Sequence, residues 1–174
     1  MHTSPAHASR ISLVVGVLLM AGLLAGCSGA GTIASSWPGL AVDETTAYVA
    51  FGPAVYAIDL ATGQERWRFP AERDAKVNFY AAPALTGEGH LIVGGYDKVV
   101  YCLSAADGTL SWTFDGSTDR IVGAPVVAGD LVLVPSADRH LYALRLSNGS
   151  AVWSFETGHS LWGAICANTA AKNT

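Results

Sequence analysis

Charge is scarce in this sequence. Asp, Glu, Lys and Arg make up only 14% of 174 residues, and the formal net charge is -4. With no basic excess, nothing electrostatic points to nucleic acid or an anionic membrane surface as a partner. The sequence also lacks a Gly-x-Ser-x-Gly elbow, a Gly-rich phosphate loop and a His-Glu-x-x-His pair. The short motifs for acyl transfer, phosphate binding and zinc hydrolysis are therefore missing. Cysteine is limited to Cys27, Cys102 and Cys166, no two of them adjacent. The one extended apolar run, Ile11 to Leu24, would span about 21 Å as helix, short of a bilayer core of about 30 Å. What the sequence does have is glycine, at 19 residues, and tryptophan, at 5. Such a composition suits short strands and tight turns better than long surface helices.

The N-terminus reads as a targeting segment. Arg10 precedes the apolar run, and Leu24-Ala25-Gly26-Cys27 follows it. Those four residues resemble the bacterial lipobox. That resemblance implies cleavage before Cys27, a diacylglycerol on its thiol and a membrane-tethered chain. The alternative is an ordinary secretory signal that happens to contain a cysteine. The organisation expected is a signal peptide over 1–26, a lipidated Cys27 and tether over 27–36, repeats over 37–166 and an irregular tail over 167–174. An exported chain can oxidise its thiols, but Cys102 aligns with Ala57 and Ala143 and is expected to be a small buried strand residue.

Internal repetition carries the fold. Val55 to Phe69, Val100 to Phe114 and Leu141 to Phe155 align without gaps. Tyr56, Tyr101 and Tyr142 recur near the start of each copy. Gly63, Gly108 and Gly149 recur in the middle, and Trp67, Trp112 and Trp153 near the end. Thr62-Gly63, Asp107-Gly108 and Asn148-Gly149 fall between apolar runs and read as hairpin turns. Pro38, Pro83 and Pro125 precede further alternating apolar runs in step. Each unit thus reads as four strands in roughly 40 to 45 residues, the pattern of a β-propeller blade. The fold class is all-β, with about three blades of four antiparallel strands and the start of a fourth. Tyr, Trp and Phe at alternate positions are expected to place bulky rings on one sheet face, packed against the neighbouring blade.

Ala57-x-Asp59-x-x-Thr62-Gly63-x-Glu65-x-Trp67 resembles the quinoprotein-like (PQQ-like) propeller repeat. The resemblance implies that Trp67, Trp112 and Trp153 stack between blades and that turn residues bond to the next blade. Ser104 and Arg145 replace Asp59 in the later copies, and Leu110 and Ala151 replace Glu65. Some members of that family are dehydrogenases using PQQ and calcium. Calcium takes six to eight oxygen ligands, whereas Asp59, Asp97, Asp107, Asp130 and Asp138 are scattered singly through turns, and there is no vicinal cysteine pair. No catalytic, quinone or metal site is therefore expected, and Asp97 and Asp138 read as turn stabilisers. His90, His140 and His159 lack metal-ligand spacing. Arg66, Arg68, Arg73 and Lys76 read as a solvated edge. Asn148-Gly149-Ser150 matches a glycosylation sequon but serves better as a turn.

A fourth blade begins at Leu161-Trp162-Gly163-Ala164 and loses its pattern at Ile165. Three and a fraction blades do not close a ring, and unpaired edges favour association. Three readings stay open: a truncated propeller, a short protein that completes its ring by self-association, and a remnant without function. The function expected from the resemblance is non-catalytic binding or scaffolding of a protein or polypeptide at a cell envelope, as in lipoproteins of the BamB type. Ser28 after Cys27 permits outer-membrane sorting in a diderm host. The competing class is a PQQ-dependent dehydrogenase or a piece of one.

Overall fold

The computed structural model of the protein describes residues 39–163. Within them, strands form three antiparallel sheets and no helix occurs. The first sheet holds β1 (Gly39–Val42), β2 (Thr46–Phe51), β3 (Ala54–Asp59) and β4 (Glu65–Phe69). The second holds β5 (Ala84–Leu85), β6 (His90–Gly94), β7 (Val100–Ser104) and β8 (Leu110–Phe114). The third holds β9 (Val126–Ala128), β10 (Leu131–Pro135), β11 (His140–Arg145) and β12 (Ala151–Glu156). Each is a meander in chain order. β1 lies beside β5, and β5 beside β9, so the first strands line the inside of an arc. These are propeller blades, unclosed over the described residues. Cys27, Cys166, the leader, the tether and the tail lie outside those residues.

The cores lie between sheets. One core packs Tyr48, Val55 and Ala57 of the first sheet against Leu91, Val93 and Leu103 of the second. The other packs Ile92, Val100 and Cys102 against Val132, Val134 and Leu144 of the third. The middle sheet is covered on both faces, so Leu91 to Gly94 are buried in succession, whereas β2 of the first sheet alternates. Cys102 is a free thiol in that buried strand, and burial pushes it up to about 11.

One expectation needs correction. The third-strand Tyr does not share a face with the Trp and Phe of its own blade. Each fourth strand carries a β-bulge: Ala57 pairs with Trp67 but Ile58 with Glu65, leaving Arg66 as the extra residue. The bulge recurs after Cys102 and Ala143. Without it, Tyr56 would face Trp67 directly. With it, Tyr56 pairs with Arg68 and points away from Trp67 and Phe69, because one added residue flips side-chain parity. The Phe of one blade thereby meets the Tyr of the next, and the Trp meets the turn that follows it.

Candidate functional site

The repeated residues converge at the joints between sheets. At the first joint the Trp67 indole Nε1 donates to the Ala105 carbonyl at 3.1 Å, and at the second Trp112 Nε1 donates to Leu146 at 2.9 Å. Both acceptors lie in the turn that follows the next sheet's third strand. Phe69 packs on Tyr101 and Phe114 on Tyr142, each with ring centroids 5.3 Å apart. The two joints share one indole hydrogen bond and one tilted aromatic pair, the pair worth about 0.5–1.5 kcal/mol beyond area burial.

Glycine at the turn is required twice over. Gly108 and Gly149 have φ of +75° and +73°, a region costly for residues with a Cβ. A methyl on Gly108 would lie 2.6 Å from Cε3 of Trp67, and one on Gly149 would strike the same edge of Trp112. Gly63 has the same conformation, φ +69°, yet a methyl there meets nothing within 4 Å. Trp153 stands at the opposite end, 43% exposed, with no turn to dock on among the described residues.

Asp59 does not reach across a joint. Its Oδ1 accepts from the Ala61 and Thr62 amides and the Thr62 hydroxyl. Its Oδ2 pairs with Arg66 at 2.5 Å. The Arg66 guanidinium, then the Thr62 bonds, hold this carboxyl down at about 2. Arg68 pairs likewise with Glu65 at 2.6 Å, so half of the basic cluster is internally neutralised. Asp107 and Asn148 cap their own turns through the Thr109 and Ser150 amides.

Sequence reasoning missed a second set of ties, because they recur only partly. Asp97 accepts from the Tyr101 hydroxyl. Asp138, its counterpart, is nearly enclosed, its side chain 3% exposed. Its Oδ2 accepts from Tyr142 Oη at 2.7 Å, Ser117 Oγ at 3.0 Å and the Thr118 amide at 2.9 Å, and its Oδ1 from the His140 amide at 3.1 Å. Burial pushes the carboxyl up, but the Tyr142, Thr118, Ser136 and Ser117 bonds outweigh it and leave it well below the usual carboxylate range. Burial and that same carboxylate push the Tyr142 hydroxyl up to about 12. This residue is more than a turn stabiliser, since it ties the segment between the second and third sheets to β11. The first sheet has Gly52 instead of an acid there, which hid the pattern. Tyr48 and Phe79 were missed too. Tyr48 Oη lies 2.8 Å from Asp43 Oδ2 and 3.2 Å from the Ala105 carbonyl, and Phe79 bridges Gly52 and Gly95.

The arrangement joins sheets over the described residues. Among the described residues, no group of three His, Cys, Asp or Glu side chains gathers as metal ligands do. Asp138, Ser117 and His140 are neighbours, yet the His140 ring Nδ1 sits 3.1 Å from the Asp138 carbonyl, an orientation set by the turn.

The family model described as outer membrane protein assembly factor BamB matches residues 52–172. The BamB of Yersinia pestis is 31% identical over 108 residues, covering 58% of this chain and 27% of that protein. The crystal structure of BamB from Moraxella catarrhalis superposes with a TM-score of 0.55 at 22% identity, over 67% of this chain and 36% of that one. Quinohemoprotein alcohol dehydrogenase from Comamonas testosteroni shares the fold with a TM-score of 0.60 at 24% identity, over 70% and 21%. The chain spans about a quarter of the length of the curated relatives it matches. With three matching blades, repeated joints and a family match across most of its length, the chain belongs to the BamB family of PQQ-like propeller proteins.

Proposed function

We propose that the chain acts as a non-catalytic binding unit of the bacterial cell envelope, holding a polypeptide partner during outer-membrane protein assembly. The observation that carries this is the family match over residues 52–172 on a fold in which Trp67, Phe69, Trp112 and Phe114 are engaged in joining blades. In this reading Cys27 carries the lipid, residues 28–36 form the tether, and a diderm host places the unit on the periplasmic side of its outer membrane. PQQ and calcium have no part in it. Supporting that, Asp59, Asp97 and Asp138 each answer a local turn, Arg or Tyr partner rather than one shared centre. The dehydrogenase alternative rests on likeness of fold, which does not carry function by itself.

The anchor is tested by labelling the full chain with palmitate in a diderm host. Label that vanishes in Cys27→Ser and fractionates with the outer membrane is expected, and an unlabelled native chain removes the anchor. The binding role is tested by titrating the chain with a urea-unfolded outer-membrane β-barrel protein, diluted to native conditions. Saturable binding is expected. Failure to bind, together with alcohol oxidation after PQQ and calcium are added, would replace the proposed role with the enzymatic one.

A further inference from the structure

Each internal joint has a donor half and an acceptor half. The donor half is a fourth-strand Trp and Phe, as in Trp67 with Phe69 and Trp112 with Phe114. The acceptor half is the next sheet's Tyr and turn, as in Tyr101 with Ala105 to Gly108 and Tyr142 with Leu146 to Gly149. Among the described residues one half of each kind is unused. The third sheet ends in Trp153 and Phe155, 43% and 61% exposed. The first sheet offers Tyr56, the half-exposed Leu60 in the position of Ala105 and Leu146, and Gly63. The space beside Gly63 is open where an indole fills the space beside Gly108 and Gly149. Leu40, Val42 and Phe51, exposed on the Tyr56 face, extend that apolar surface.

These leftovers are copies of surfaces that already bind each other twice within the chain. We infer that the 174-residue chain docks head to tail on a second copy of itself, with Trp153 and Phe155 of one copy seated on the Leu60–Gly63 turn and Tyr56 of the next. The contact runs through sheet faces and not through the strand edges that unclosed blades leave unpaired. It is heterologous, so it closes into a ring or propagates. The described residues of two copies supply six blades, within the range of about four to eight at which propellers close.

One difference between the acceptor halves sets a direction. Thr113 and Ser154 stand opposite Tyr101 and Tyr142, but Arg68 stands opposite Tyr56 and lies over its ring at 5.4 Å. Its guanidinium, paired with Glu65, lies about as far from the Tyr56 ring as the Phe69 ring lies from Tyr101, so in the inferred contact it swings aside for Phe155 to seat. Shortening it should strengthen the contact.

The test is the mass of the full chain by light scattering in detergent, with circular dichroism to confirm folding. The native chain is expected to form a discrete oligomer. Trp153→Ala removes the donor half and Leu60→Glu blocks the acceptor half. Both side chains are substantially exposed, so both variants should fold. Each alone is expected to be monomeric, and an equal mixture should form a one-to-one pair and nothing larger. Arg68→Thr is expected to lower the dissociation concentration several-fold. A native chain that stays monomeric up to about 100 µM, an oligomer that survives Trp153→Ala, or variants that fail to pair when mixed would each overturn the inference. A tail-to-tail dimer cannot produce the mixed pair, because Trp153→Ala has no donor, and association through the apolar leader would leave each variant oligomeric on its own, because both keep the leader.

Discussion

At the residue scale, the three turn glycines share one backbone conformation and differ in what lies beside them, which separates two costs. Gly63→Ala places a methyl at positive φ in open space, a penalty of about 1–2 kcal/mol. Gly108→Ala carries the same penalty and also displaces Trp67, so its cost should be larger by about 2 kcal/mol or more. Urea unfolding of both variants at low concentration checks this, and equal midpoints would mean the indole docking contributes little. Asp138 makes a pH-dependent prediction. In the folded chain its carboxyl holds a proton less tightly than in the unfolded chain, where such groups titrate near about 3.9. Its stabilisation is therefore complete above about pH 4 and declines as pH falls through the lower folded value. Asp138→Asn should cost about 2 kcal/mol at pH 7, since it weakens charge-assisted bonds from Tyr142, Ser117 and Thr118. The gap from the native protein should narrow when unfolding is repeated at pH 3, and a gap that is flat with pH would place the effect elsewhere.

At the scale of the element, strands and turns were legible because a period of two and a glycine turn leave direct marks in sequence. Tyr56, Tyr101 and Tyr142 do fall on third strands, and Trp67, Trp112 and Trp153 on fourth strands. The facing of those rings was not legible, because Arg66 and its counterparts Ser111 and Val152 are inserted without any consistent residue type to announce a bulge. The Asp138 network was hidden for a different reason: its partners Ser117 and Thr118 come from a linker that does not repeat. The joint itself yields a graded prediction. Trp112→Phe keeps a ring but loses the bond to Leu146, a loss of about 1 kcal/mol. Trp112→Ala also empties the site, for about 3–5 kcal/mol in total. Hydrogen exchange should then rise in β10 and β11 while β2 and β3 keep their protection. A uniform rise across all sheets would contradict joint-by-joint coupling.

For the whole molecule, the two cores share only the middle sheet. Leu91, Val93 and Leu103 face the first sheet, and Ile92, Val100 and Cys102 face the third. Terminal sheets contribute to one core each. Stability should therefore follow nearest-neighbour terms, as in repeat arrays, and depend on position as much as on chemistry. Leu103→Ala and Leu144→Ala remove the same atoms from fully buried sites, each at about 2–5 kcal/mol. Leu144→Ala weakens the joint to the third sheet, so that sheet should open alone while the first two stay protected. Leu103→Ala weakens the joint to the first sheet, so exchange should rise in the first sheet while the third stays protected. Mass spectrometry of exchanged peptides from β2, β6 and β10 distinguishes these patterns. If the two variants gave the same pattern, the described residues would behave as one cooperative block, and the exposed third-sheet face would be no easier to release than the middle.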